Sequence, residues 1–170
     1  LCSAALHEEM TLAQEMSPVL AQVKFFNVDL NSAVDAEASI DALMQTKSTE
    51  YQAIDTDAED VCLISFTSGT TGMPKGTMHF HRDVLAICDC FPRSSLQSQE
   101  SDVFIGTPPL AFTFGLGGLL LFPLRVGATA VLLEKLTPET LLKAIDEFQA
   151  TTCFTAPTFY RQMLPLVKNF

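Results

Sequence analysis

Basic residues are scarce in this chain. Ten Lys and Arg stand against 20 Asp and Glu in 170 residues, giving a formal net charge of −10. The imbalance is local: residues 1–60 hold 12 acidic and 2 basic side chains, whereas residues 61–170 hold 8 of each. An acidic face of this size disfavours nucleic acid and anionic membranes, and reads first as a solvated, solubilising surface. Glycine and proline are few, 8 and 9, and carry no period, which excludes collagen-like and low-complexity sequence. The 48% of apolar residues exclude a disordered chain. No internal repeat is visible.

Cysteine is limited to an odd set of five, Cys2, Cys62, Cys88, Cys90 and Cys153, with no zinc spacing. Cys88 and Cys90 form C-x-C on an expected helix, where residues two apart do not face each other. Cys62 and Cys153 lie in apolar runs and are expected to be small core residues. This usage fits a reducing compartment, and a cytoplasmic location is expected. No secretory signal is visible. The uncharged run from Val103 to Leu124 has the length of a membrane span, but Pro108 and Pro109 would break a helix near its start. A strand, a turn and a short buried helix are expected there instead.

The length allows one domain with a full core. Position 1 is Leu, and residues 1–16 already read as helix, with Leu6, Met10, Ala13 and Met16 on one stripe. The chain is therefore expected to be part of something longer. Val23 to Val28 reads as a short strand, and residues 29–60 as a loose acidic connection with weak helical pattern from Ile40 to Met44. From Val61 the pattern changes. Val61 to Phe66 is a continuous apolar run of the kind buried on both faces of a parallel sheet. Further strands are expected near Gly76–Phe80, Val103–Gly106, Ala128–Leu133 and Thr151–Ala156. Helices are expected from His81, over Leu116–Leu124, from Pro138 and from Pro157. Thr137 is a good N-cap for the third of these, with Pro138 and Glu139 suited to its first turn and Leu141, Ile145 and Phe148 inward. In the last helix Phe159, Met163 and Leu166 are expected inward. Strands alternating with helices mean an α/β fold with a mainly parallel sheet flanked by helices.

Thr67 to Gly76 reads TSGTTGMPKG, directly after an apolar strand. Gly69 and Gly72 allow the backbone to turn its amides inward. Thr67, Ser68, Thr70 and Thr71 add hydroxyls, and Lys75 adds one positive charge. Amides, hydroxyls and a cation around a concavity suit a polyphosphate. The order is not that of a Walker loop, because Pro74 precedes Lys75 and Gly76 follows it. The same composition also fits a β-hairpin turn with solvated Thr and Lys.

TSGTTGMPKG closely resembles the phosphate loop of adenylate-forming enzymes: acyl- and aryl-CoA ligases, luciferases and the adenylation domains of peptide synthetases. KGTMHFHRDV (Lys75 to Val84) and PPLAFTFGLGGLLLFPLRVGA (Pro108 to Ala128) are most similar to benzoate- and 2-aminobenzoate-type CoA ligases. The resemblance covers residues 61–168 as one stretch of the family's large N-terminal domain, with residues 1–60 as its looser acidic segment. It implies that ATP activates a small aromatic carboxylate to an acyl-adenylate and that CoA then takes the acyl group, with Mg²⁺ sharing the phosphate charge. It implies ATP contacts from Thr67, Ser68, Gly69, Thr70, Thr71, Gly72 and Lys75. Phe112, in Leu110–Gly115, falls at the family's acyl-pocket position, and Gly115, Ala156 and Pro157 are expected beside it. Aromatic residues in an apolar run also fit an ordinary core; Phe112 is expected in the pocket and Phe114 in the core. The Gly115, Gly117 and Gly118 cluster is expected to let backbone approach a ligand.

His79 and His81 have no metal-spaced partner and are expected to play structural parts; Arg93 and Arg125 have no assigned role. The family's aromatic–Thr–Glu motif, its ribose-binding Asp and the C-terminal domain with its adenylation Lys have no counterpart here. This chain alone is therefore expected to be inactive and to contain no metal site of its own. Two alternatives remain at this point: a fatty-acyl or carrier-protein-loading member of the family, and a non-catalytic phosphate-binding α/β module.

Overall fold

The computed structural model describes residue 3, residues 6–24, residue 28, residues 39–67 and residues 72–169. The chain divides into two units, Leu1–Ile54 and Asp55–Phe170.

In the first unit, α1 (His7–Met16) carries Glu8 and Glu9 in its first turn, where the helix dipole favours negative charge. None of its residues is buried. Gln14 Nε2 donates to the Val23 carbonyl at 2.7 Å, fixing the chain after the turn at Leu20–Gln22. A second helix, α2 (Ile40–Gln45), follows. Val23, Lys24 and Val28 belong to no strand, and Phe25, Phe26 and Asn27 of the expected strand lie outside the described residues.

The second unit holds two sheets. β1 (Val61–Thr67) and β2 (Lys75–Phe80) form an antiparallel ribbon, with Thr67 opposite Lys75 and Ile64 opposite Met78. This corrects the expectation of a doubly buried parallel strand. β1 pairs with its own sequence neighbour across a short connection, and such a connection joins only antiparallel strands. Ile64 and Phe66 are 53% and 72% exposed. Cys62 is exposed too, not in the core. After the ribbon comes α3 (His81–Phe91), where the Phe80 amide donates to Asp83 Oδ2 at 3.0 Å and so satisfies one group at the helix start. A π-type turn at Pro92–Leu96 ends it.

The other sheet is parallel, in the order β4 (Thr129–Val131), β3 (Val103–Gly106), β5 (Thr152–Phe154). Between β3 and β4 the chain is helical from Thr113 to Val126: α4 (Thr113–Leu116), a π-type stretch (Gly117–Leu121) and α5 (Phe122–Val126). The helix thus starts three residues before the expected Leu116. α6 (Pro138–Glu147) joins β4 to β5, and α7 (Pro157–Met163) follows β5.

Side-chain alternation along β3 shows how the layers close. Ile105 faces Leu141, Leu142, Ala144 and Met163 of α6 and α7. Phe104 points the other way and stacks on Phe154 of β5, with ring centroids 6.2 Å apart. Phe122 and Phe114 meet the same Phe154 ring at 6.2 and 5.8 Å. Helices therefore cover both faces of the sheet, an α/β arrangement. The α6 stripe differs from the expected one at its end. Helix geometry stops at Glu147, so Phe148 is left 47% exposed while Leu142 and Ala144 are buried. Thr137 caps that helix as expected, accepting from the Thr140 amide at 3.2 Å. No helix among the described residues is long and apolar enough to cross a membrane.

Candidate functional site

The ribbon brings the two ends of the Gly/Thr loop together. Thr67 closes β1, Lys75 opens β2, and the two are cross-strand partners. The connection is thus a hairpin loop with a hydroxyl at one base and an ammonium at the other. Gly72 has φ +78°, the left-handed region that costs a glycine nothing, and open space lies where its side chain would be. Ser68, Gly69, Thr70 and Thr71 lie outside the described residues.

Leu110–Leu116 runs beside β1. Phe112 sits at the N-cap of α4 in extended geometry and is 65% exposed. With Leu63, Ser65, Leu110 and Leu116 it lines a cleft of about 440 Å³. Its lining is largely apolar, with the side chains of Ser65 and Thr113 as its hydroxyls. Phe114 leans edge-on against Phe154 but remains 50% exposed, so it is only partly a core residue. The structure therefore places Phe112 beside the strand that leads into the loop, which sequence alone does not show.

The glycine cluster turns out to serve internal packing. A Cβ on Gly115 would lie 2.1 Å from the Pro109 carbonyl oxygen and 2.6 Å from that of Pro108. One on Gly118 would lie 2.7 Å from the Phe154 ring, and one on Gly117 3.2 Å from Phe122. The space in front of each is taken by this chain, which corrects the expectation that it is left to a ligand. Ala156 is the N-cap of α7 and Pro157 its first residue; both are exposed, at the carboxyl end of β5. Beside them is a contact that sequence reasoning missed. Thr107 and Thr155, one at the exit of β3 and one at the exit of β5, meet hydroxyl to hydroxyl at 2.7 Å. The signal available was that Thr107 directly follows one expected strand and Thr155 lies near the end of another, in a sheet expected to be mainly parallel.

The imidazole of His79 reaches a cavity it shares with Leu63, Asp83, Val84 and Leu116. Among the described residues no three His, Cys, Asp or Glu side chains converge on a metal position. The loop offers hydroxyls and an ammonium, not the carboxylates that Mg²⁺ prefers, so the residues described here do not make a Mg²⁺ site. Arg125 has a partner: its Nε and Nη2 hold both oxygens of Asp89 at 2.8 and 3.1 Å, tying α5 to α3. That hydrogen bonding holds the Asp89 carboxyl below its ordinary value. Burial, with Asp89 next in chain, pushes the Cys88 thiol up, and burial does the same for Cys153, so both favour the neutral form.

The sequence model of the family described as AMP-binding enzyme matches residues 3–170. Among curated proteins, the benzoate–CoA ligase of Thauera aromatica is 37% identical over 158 residues, covering 90% of this chain and 30% of that protein. The anthranilate–CoA ligase of Pseudomonas aeruginosa is 31% identical over 170 residues, covering 99% of this chain and 33% of that one. Among solved structures, an anthranilate CoA ligase in complex with anthranoyl-AMP superposes with a TM-score of 0.74 at 30% identity, over 91% of this chain and 30% of its own. The chain thus spans about a third of the length of the curated relatives it matches. The match over almost every residue leads to one statement of kinship: the chain belongs to the family of AMP-binding enzymes.

Proposed function

We propose that this chain is the phosphate-loop and acyl-pocket part of an ATP-dependent aryl-CoA ligase. The carrying observation is the placement of the Phe112 cleft against β1, the strand that ends at Thr67 and so leads directly into the loop. In the proposed reaction a carboxylate oxygen attacks the α-phosphorus of ATP. The bond to the bridging oxygen breaks, and pyrophosphate leaves with that electron pair. The thiolate of CoA then attacks the acyl carbon and AMP departs. Chemistry of this type depends on positioning and charge neutralisation more than on a protein nucleophile. Thr67, Ser68, Gly69, Thr70, Thr71 and Gly72 would hold the departing phosphates by amides and hydroxyls, with Lys75 supplying the positive charge. Phe112 would form one wall for the ring, with Ala156 and Pro157 shaping the rest. Residues 1–60 and 61–170 are read as two parts of one domain of a cytoplasmic enzyme. The groups that hold adenosine are read as lying elsewhere in the whole protein, so this chain alone is expected to be inactive.

Support for an aromatic acid comes from the exposed Phe112 face, which can stack on a flat ring, and from the benzoate and anthranilate ligases among the relatives. The test is a comparison of kcat/KM for CoA thioester formation by the whole protein with benzoate, 2-aminobenzoate, acetate and octanoate. The aryl acids are expected to lead. Acetate or octanoate in first place would overturn the aryl assignment.

A further inference from the structure

Arg93 and Arg125 take no part in the reading above, yet both line one cleft of about 350 Å³, with Asp89, Gln97 and Ser98 beside them. None of its residues lines the Phe112 cleft. The chain leaves it at two points for the starts of strands: Ser98 leads to β3 at Val103, and Val126 leads to β4 at Thr129. The Thr129 amide donates to the Asp102 carbonyl at 3.0 Å, which joins the two approaches. Substrates of open α/β sheets lie outside the carboxyl ends of the strands. This cleft lies toward the amino ends, and it is a separate place.

Its charges do not balance. Arg125 gives Nε and Nη2 to both oxygens of Asp89, at 2.8 and 3.1 Å. That carboxylate is thereby engaged, and Arg93 makes no ion pair or side-chain hydrogen bond among the described residues. Glu100, beside Gly127, is not within ion-pair distance of either arginine. The Asp89 carboxyl is held low first by the Arg125 hydrogen bonding and further by the charge of Arg93, so both guanidinium groups act on the same spot. Two more donors are unused. Gln97 follows the π-type turn at φ 54°, and its side chain has no hydrogen bond among the described residues. The Ser98 amide donates to the Pro92 carbonyl at 3.1 Å, but the Ser98 Oγ is buried without a partner. Buried hydroxyls are nearly always paired, so this one is a hydrogen bond short. Serine has one side-chain torsion, and an acceptor arriving in the cleft needs one rotation to reach it.

We propose that this cleft binds a phosphate group, either the free ion or the monoester of a small molecule. A planar guanidinium presents paired N–H donors that match two phosphate oxygens, and those of Arg93 are free. Ser98 donates to a third oxygen. Asp89 keeps Arg125 beside them and leaves the site with one net positive charge. A carboxylate brings fewer oxygens and less charge than a phosphate, so it is held less well. The site stands apart from the Gly/Thr loop, and it does not depend on the aryl reading.

The experiment is a calorimetric titration of inorganic phosphate into the whole protein carrying Lys75→Ala, which removes the cation of the loop and leaves this cleft intact. Arg93 is exposed, so its variants are expected to fold. Arg93→Gln is expected to weaken phosphate binding by about fivefold or more, and Arg93→Lys, which keeps the charge but not the fork, to recover only part of that loss. Ser98→Ala is expected to weaken it by about threefold, the scale of a neutral hydrogen bond, while the phosphate-free protein stays at least as stable as its parent. Glycerol phosphate binding more tightly than the free ion identifies a monoester as the ligand, and the reverse identifies the ion; both support the site. Acetate binding as tightly as phosphate would overturn the assignment to phosphate. An affinity unchanged by Arg93→Gln overturns the site. So does Arg93→Lys equal to its parent together with an unaffected Ser98→Ala, because diffuse attraction to surface charge then suffices.

Discussion

At the scale of single residues, two charges carry separable consequences. Lys75 is the cation of the loop, at the first position of β2. A charge-assisted contact to a phosphate is worth about 1.5–3 kcal/mol. Lys75→Ala in the whole protein is therefore expected to lower kcat/KM for ATP by about tenfold to a hundredfold, with acid binding nearly intact; equal ATP kinetics would remove Lys75 from the site. Asp89 acts on stability instead. Its carboxyl titrates lower in the fold than in the unfolded chain because Arg125 donates to both oxygens. A depressed carboxyl stabilises the fold above its unfolded value, near about 3.9, and that contribution fades as pH falls through the folded value. Asp89→Asn is thus expected to be less stable than wild type at pH 7, with the gap closing in acid. A denaturation series at pH 7, 5 and 3 measures it, and a gap independent of pH would break the link to this ion pair.

At the scale of elements, Gly115 decides whether α4 can pack. Its backbone rests on the Pro108 and Pro109 carbonyls, where the contact atoms are main chain and have little freedom to yield. Gly115→Ala is expected to cost about 1–3 kcal/mol, the range of overpacked sites, or more if the turn is displaced. Urea unfolding checks this, and a neutral substitution would mean that the turn relaxes freely. Elements with internal signals were legible in the sequence. β3 was read with its observed ends, and the start of α6 was marked by Thr137 and Pro138. The TSGTTGMPKG motif could be recognised as a sequence for a similar reason, since its residues are consecutive. β1 was misread because a continuous apolar run does not reveal whether its partner is parallel or its outer face covered. The Thr107–Thr155 contact was illegible because it joins residues 48 apart and depends on strand order.

At the scale of the whole molecule, apolar surface is unevenly spent. Ile64, Phe66 and Met78 lie on one face of the ribbon and are all more than half exposed. A contiguous apolar face of this kind attracts apolar partners. The 170-residue chain is expected to bind an apolar fluorescent dye, and Ile64→Thr with Phe66→Ser to reduce that signal without changing the far-ultraviolet circular dichroism. Unchanged dye fluorescence would place the sticky surface elsewhere.

The ribbon's closure by its own loop also bears on the order in which the chain acquires shape. β1 and β2 are joined by contacts local in sequence, and such hairpins form on a scale of about 1–10 μs. The parallel sheet must bring β3 together with β5 across β4 and α6, a slower search because a longer loop has to close first. During synthesis β1 and β2 also leave the ribosome earlier. The nascent chain is thus expected to close the β1–β2 ribbon before β3 and β5 meet, so that the part of the unit built from neighbouring segments takes shape ahead of the part that needs distant ones.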